Sequence, residues 1–185
     1  EWLANVAMFA LLTWTGYHEP EWLKPFEEET GVKVNVQYIT SVPEGFAKVQ
    51  ADPGAFDIVL VTSGWTENYV DADLVVPIDE SKLTGLETSI QELDWRATTT
   101  YNDTNYGLTY AWGLQPLAIA TDRVKDVPDS WQALWDPQYE GRVTMLDDAT
   151  TQMPAVALAA GIDDPYDMSD AEFEKFKQKL TDLRP

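Results

Sequence analysis

Along the first third of the chain, apolar runs alternate with amphipathic stretches in a strand–helix–strand order. Val6 to Thr13 is a continuous apolar run, the pattern of a strand buried on both faces. After Trp14-Thr15-Gly16-Tyr17, Pro20 suits the first turn of a helix. Trp22, Leu23 and Phe26 share one face of that helix, and Gly31 is placed to stop it. Pro25 falls inside and predicts a short or kinked helix. Val32, Val34, Val36 and Tyr38 alternate with polar residues, as a half-buried strand does. A short helix follows from about Pro43 to Ala51. Phe56 to Val61 then reads as another buried strand, ending in Thr62-Ser63-Gly64-Trp65. This order is a βαβ grammar and implies a largely parallel sheet.

Further on, Asp79 to Asn105 is polar and weakly periodic, which predicts one or two short surface helices. Tyr106 to Ala120 reads as extended. Ser130 can cap a helix carrying Trp131, Leu134 and Trp135, which Asp136-Pro137 ends. Arg142 to Leu146 is an apolar β-run closed by Asp147 and Asp148, followed by a small-residue helix from Gln152 to Ala160 with Gly161 as its stop. Ser169-Asp170-Ala171-Glu172 is a capping box before a last amphipathic helix with Phe173, Phe176 and Leu180 on one face. There are no internal repeats and no low-complexity segment.

Composition adds a core and a charge to this pattern. With 44% hydrophobic residues and 8 Trp, the 185-residue chain can bury a real core, which argues against disorder. It carries 32 acidic against 12 basic residues, a net charge of -20, and so lacks the basic footprint that nucleic-acid phosphates need. The acids are spread along the whole chain, as on a generally acidic surface, and such a surface also steers cations inward. Without cysteine, neither disulfides nor thiolate metal sites are available, which fits periplasm and cytoplasm equally. The longest apolar stretch, Leu3 to Trp14, is broken by Asn5 and is shorter than the roughly 20 residues a membrane span requires. It lacks the cationic flank and cleavage site of a signal peptide and is not read as one; removal of a signal ahead of it is an expectation.

Enzyme signatures are missing: there is no G-x-S-x-G, P-loop, G-x-G-x-x-G or H-E-x-x-H. The single histidine, His18, reads as a surface or capping residue. Asp147 and Asp148 carry the right atoms for a hard cation, but adjacent strand-end side chains diverge, so no metal and no cofactor is expected. Trp22, Trp95, Trp131 and Trp135 sit among apolar partners and read as core. Trp14, Tyr17 and Trp65 sit in turns after strands, where a core role is less natural. Open α/β sheets bind ligands outside the carboxyl ends of their strands. One aromatic and one anionic strand end therefore suggest a pocket for a small organic cation, which gains roughly 0.5 to 2 kcal/mol over a ring.

Several segments, in order, carry a family resemblance. They are Thr13-Trp14-Thr15-Gly16-Tyr17, Phe26 to Val34, Phe56-Asp57-Ile58-Val59, Pro77 to Leu83, Tyr110-Ala111-Trp112-Gly113, Ser130 to Gly141 and Leu146-Asp147-Asp148. Together they resemble the periplasmic substrate-binding proteins of bacterial ABC importers, of the spermidine/putrescine-binding type. The resemblance implies a two-lobed α/β protein of the periplasmic-binding-protein fold, closing on its ligand like a hinge. Lobe one would span 1–109, a crossing 110–112, and a partial lobe two 113–185, the return to lobe one lying beyond this chain. It implies a periplasmic or membrane-tethered receptor that is not an enzyme and hands a small amine to a membrane permease. Ligand contacts would fall on Trp14, Thr15, Tyr17, Thr62, Ser63, Trp65 and Trp112, with Asp148 holding an ammonium group.

Two positions depart from the polyamine pattern. Gly16 and Thr151 stand where polyamine binders often carry carboxylates. A desolvated ammonium needs a paired charge, so a monocationic, zwitterionic or partly neutral ligand is an open alternative. A sensing or protein-interaction domain on the same fold is another. An enzyme using Asp147 or Asp148 as a base has no accompanying nucleophile, second base or cofactor loop.

Overall fold

An apolar strand, β1 (Met8–Trp14), is the middle of a three-stranded parallel sheet in the computed structural model, which describes residues 7–86, 94–146 and 148–183. β2 (Lys33–Ile39) pairs along its whole length, from Met8 beside Lys33 to Trp14 beside Ile39. On the other side β3 (Ile58–Val59) pairs only at Leu11 and Leu12. The expected strand from Phe56 to Val61 is thus cut to two residues. At its start the Ala10 amide donates to the Asp57 carboxylate at 2.8 Å, so a side chain takes the donor that a longer ladder would use.

Successive strand side chains point to opposite faces, and helices cover both faces. Phe9 meets Phe26 of α1 (Pro20–Thr30) edge to face at 6.2 Å. Leu12, on the other face and 1% exposed, clusters with Ile39, with Val49 of α2 (Val42–Ala51) and with Tyr69 of α3 (Thr66–Asp71). This division follows from right-handed crossovers running in opposite directions: β1 to β2, then back past β1 to β3.

Local signals set the ends of these elements. Pro20 opens α1 and Gly31 closes it at φ 72, while Pro25 is absorbed inside an unbroken 11-residue helix. Ser41 caps α2 through the Glu44 amide at 3.3 Å. The Glu44 carboxylate in return takes the Thr40 amide at 2.8 Å, the Thr40 hydroxyl at 2.6 Å and the Lys48 ammonium at 2.9 Å. Lys48 first, then Thr40, hold this carboxyl down at about 2.

The polar stretch after Asp79 differs from expectation, apart from residues 87–93, which lie outside the described ones. Among the described residues it contains a 3-10 turn at Glu80–Lys82 and a hairpin of β4 (Thr100–Tyr101) and β5 (Thr104–Asn105). Asn102 and Asp103 both have positive φ, the two-residue turn that twists with a hairpin. Arg96 grips the Glu80 carboxylate through Nε at 3.0 Å and Nη2 at 2.6 Å, and Asn105 Nδ2 donates to it as well at 3.1 Å.

The chain divides into two compact units between Ala111 and Trp112. Among the described residues of the second unit there are helices and no strand. Arg142 to Leu146, read as a β-run, has no ladder there, because a strand exists only through pairing and no neighbouring strand is offered. Ser130 does cap Trp131–Trp135, but as a 3-10 turn, since Asp136-Pro137 ends it too early for an α-helix. The core joins Val156 of α4 (Ala149–Ala159) with Ile162 and with Phe176 of α5 (Asp170–Thr181), and Trp135 and Met145 pack around it. The capping box at Ser169 and Glu172 forms with both of its bonds.

Trp22, read as core, is 59% exposed, and Phe173 and Leu180 on the apolar face of α5 are nearly half exposed. In each case the apolar stripe of the helix is wider than the surface it packs against.

The Glu44 clamp predicts acid lability. A carboxyl held at about 2 against an ordinary 4.5 contributes stability above about pH 4.5 that is lost as pH falls through 2. Glu27, Asp79, Glu80, Asp136 and Glu172 are likewise held low by their partners and add to the same slope. Thermal melts across this window should show a falling midpoint, and Glu44→Gln should flatten part of the fall. An unchanged acid slope in the variant contradicts the clamp.

Candidate functional site

With strand order β2-β1-β3, the chain leaves β1 in one direction and returns past it in the other. The gap between the carboxyl ends of β1 and β3 is therefore the topological switch point, where open α/β sheets leave a crevice. The two loops that rim it share one design. The Tyr17 amide bonds the Trp14 carbonyl at 3.2 Å, and the Trp65 amide bonds the Thr62 carbonyl at 3.1 Å. Each turn has glycine at its third position in the left-handed region, Gly16 at φ 83 and Gly64 at φ 87. That is the signature of a type II turn. Each places a hydroxyl residue second, Thr15 or Ser63, and an aromatic residue fourth, Tyr17 or Trp65. The doubled Thr/Ser-Gly-aromatic motif is legible in the sequence, although its equivalence appears only with the fold.

The expected site residues in these loops occupy different depths. Trp14 and Trp65 are partly buried and pack onto the Leu12 core, with Trp65 against Phe46 at 5.7 Å. They are anchored walls, and core packing is more natural for them than their turn positions suggest. Thr62 is partly buried, and Thr15, Ser63 and Tyr17 are exposed. Beside the second turn opens a shallow recess of about 280 Å³, lined by Gly64, Thr66, Glu67, Thr98, Thr100 and Tyr101. In it the Glu67 carboxylate accepts the Tyr101 hydroxyl at 3.2 Å and pushes that phenol above its usual range.

Two contacts near the first turn were not foreseen. Tyr110 donates its hydroxyl to the Tyr17 carbonyl at 2.7 Å. His18, rather than a surface residue, is half-buried: Nε2 lies 3.2 Å from the Tyr38 hydroxyl and the ring lies 5.4 Å from the Tyr38 ring. Its Nδ1 is buried and has no hydrogen-bond partner among the described residues. Both contacts join residues far apart in sequence, so no local motif announces them.

In the second unit, Trp112 is exposed. Asp148 caps α4, its Oδ1 accepting the Thr150 amide at 2.8 Å and the Thr151 amide at 3.4 Å; Oδ2 carries neither bond. The Thr151 hydroxyl is 3.4 Å from the Asp148 carbonyl. Asp147, the other member of the anionic pair, lies outside the described residues. Among the described residues no group of three or more metal-ligating side chains gathers, and no helix is long and apolar enough to cross a membrane.

A switch-point crevice rimmed by polar and aromatic turns is the place where open α/β sheets take their ligands. Residues 21–185 match the family model described as bacterial extracellular solute-binding protein, and the chain belongs to that family. It is 32% identical over 139 residues to the spermidine/putrescine-binding periplasmic protein of Escherichia coli, covering 74% of this chain and 39% of that protein. Identity to the spermidine/putrescine-binding periplasmic protein 1 of Haemophilus influenzae is 29% over 178 residues, covering 95% of this chain and 49% of that one. The chain thus spans about half the length, or less, of these curated relatives. A solved structure described as a putative spermidine/putrescine ABC transporter from Listeria monocytogenes aligns with a TM-score of 0.75 at 21% identity, over 95% of this chain and 54% of its own. The α/β periplasmic-binding-protein fold expected from the sequence is the fold found.

The capping role of Asp148 separates its charge from its structural duty. Asn caps a helix about as well as Asp, whereas Ala costs about 1 kcal/mol. Urea denaturation should therefore find Asp148→Asn close to wild type and Asp148→Ala less stable by about that amount. Equal losses in both variants would mean that the charge, rather than the cap, supports the fold.

Proposed function

We propose that the protein is the solute-binding receptor of an ABC importer, located in the periplasm or tethered outside the membrane. It takes up a small cationic amine of the polyamine kind and hands it unchanged to a permease. The observation that carries this reading is the pair of matching turns at the switch point, which offers hydroxyls and aromatic rings around one crevice. An ammonium leaving water needs a carboxylate or a ring face to replace its hydration. In this reading Trp14, Thr15, Tyr17, Thr62, Ser63 and Trp65 form one wall of the site. By the family resemblance, with lobes at 1–109 and 113–185 and a crossing at 110–112, Asp148 would supply the paired charge and Trp112 a further ring. The names of the relatives support the ligand class, and the net charge of -20 favours attraction of cations.

A second ligand class, zwitterionic or singly charged, is favoured by Gly16 and Thr151. The φ of 83 at residue 16 selects against most side chains there, and Thr151 turns its hydroxyl to the Asp148 carbonyl. Neither position supplies a carboxylate for a second ammonium.

Isothermal titration calorimetry of the purified protein with putrescine, spermidine and a zwitterionic amino acid tests the reading. A Kd of about micromolar or tighter for at least one amine is expected. Asp148→Asn should weaken it by about 30-fold or more, the loss that follows from removing one partner of a buried charged pair. No heat with any amine, or unchanged affinity in Asp148→Asn, would contradict the proposal.

A further inference from the structure

Tyr110, beside the first turn, lies in a segment that carries the family resemblance but is not among the ligand contacts the resemblance assigns. Tyr110 is 58% exposed and Tyr17 is 46% exposed, with ring centroids 6.4 Å apart and planes tilted by 40°. Exposed aromatic surface is unfavourable in water unless something covers it. The placement of Tyr110 is built from several sides. Its neighbour Thr109 donates to the Trp95 carbonyl at 2.7 Å and lies 3.1 Å from the Thr98 hydroxyl. Its own hydroxyl is spent on the Tyr17 carbonyl across 93 residues of sequence. An exposed hydrogen bond of this kind adds little to stability, but it fixes the two rings relative to each other. It also leaves the Tyr110 ring face, rather than its hydroxyl, as the group available to a ligand. A cation interacts with a ring from within about 6 Å of its centroid, and two rings at this separation admit one alkylammonium within reach of both.

We infer that Tyr110 is a further ligand-contacting residue, forming with Tyr17 a two-ring platform for the alkylammonium end of the solute. The inference rests on the amine-receptor reading above. It extends the site from the two strand-end turns to the extended segment that precedes Ala111, and it explains why the first turn is clamped by a tyrosine. Tyr110→Phe keeps the ring and loses the bond to Tyr17, whereas Tyr110→Leu loses the ring.

The test is calorimetric titration of putrescine and spermidine into wild type, Tyr110→Phe and Tyr110→Leu, with melting temperatures as the fold control. Tyr110→Phe should stay within about threefold of wild-type affinity, and Tyr110→Leu should bind about tenfold more weakly. Phenylalanine carrying one, two or three ring fluorines at position 110 preserves shape while draining charge from the ring face, and affinity should fall stepwise along that series. Wild-type affinity in Tyr110→Leu, a flat fluorine series, or a Phe variant as weak as Leu would overturn the platform while leaving the receptor reading in place. Failure of wild type to bind any amine would overturn both.

Discussion

Parallel strands cannot be joined by a tight turn, and that constraint organises the first unit. β1 pairs with a parallel neighbour on each side, so each connection must climb over the sheet as a helix. The strand is consequently covered on both faces, by Phe26 on one and by Val49 and Tyr69 on the other, and Leu12 and Thr13 near its end are almost fully buried. The same constraint aligns all three carboxyl ends on one edge of the sheet. Because the order is β2-β1-β3, the crossovers diverge between β1 and β3 and leave that edge open. The crevice is the place the topology cannot fill.

What rims the crevice follows from turn chemistry. Each strand must release its chain within three residues into a segment leading to a helix, and a left-handed glycine achieves this without strain. The residue after that glycine is thrown back over the sheet end. Trp65 settles onto Phe46 and the core, whereas Tyr17 stays outside, held by Tyr110. One wall is thus fixed by packing and the other by a hydrogen bond. Trp14 and Trp65 shape the rim by packing onto the core; Tyr17 and Tyr110 leave ring surface exposed beside it.

The parts of this arrangement that were legible in the sequence are those set by neighbours a few residues away. Continuous apolar runs marked β1, alternation marked β2, Gly31 marked the end of α1, and Ser169 with Glu172 marked the start of α5. Where a partner distant in sequence decides, the reading failed. β3 is shortened by a carboxylate, Asp57, that takes a ladder donor. Arg142 to Leu146 has strand composition and, among the described residues of its unit, no strand beside it. Trp22 has core chemistry yet is 59% exposed. The family resemblance supplied the site residues, but it did not distinguish the rings that serve the core from those left open. Tyr110 lay within a matched segment without being marked, because its role depends on a contact spanning 93 residues.

The central claim is that the two matching turns at the sheet's switch point receive the ligand. Backbone amide shifts of the isotope-labelled protein, followed by NMR as putrescine is added, test this most directly. The account predicts that the largest saturable changes fall on Thr15, Gly16 and Tyr17 together with Ser63, Gly64 and Trp65. Saturable changes confined to the recess around Thr98, Thr100 and Tyr101, with both turns silent, would contradict it.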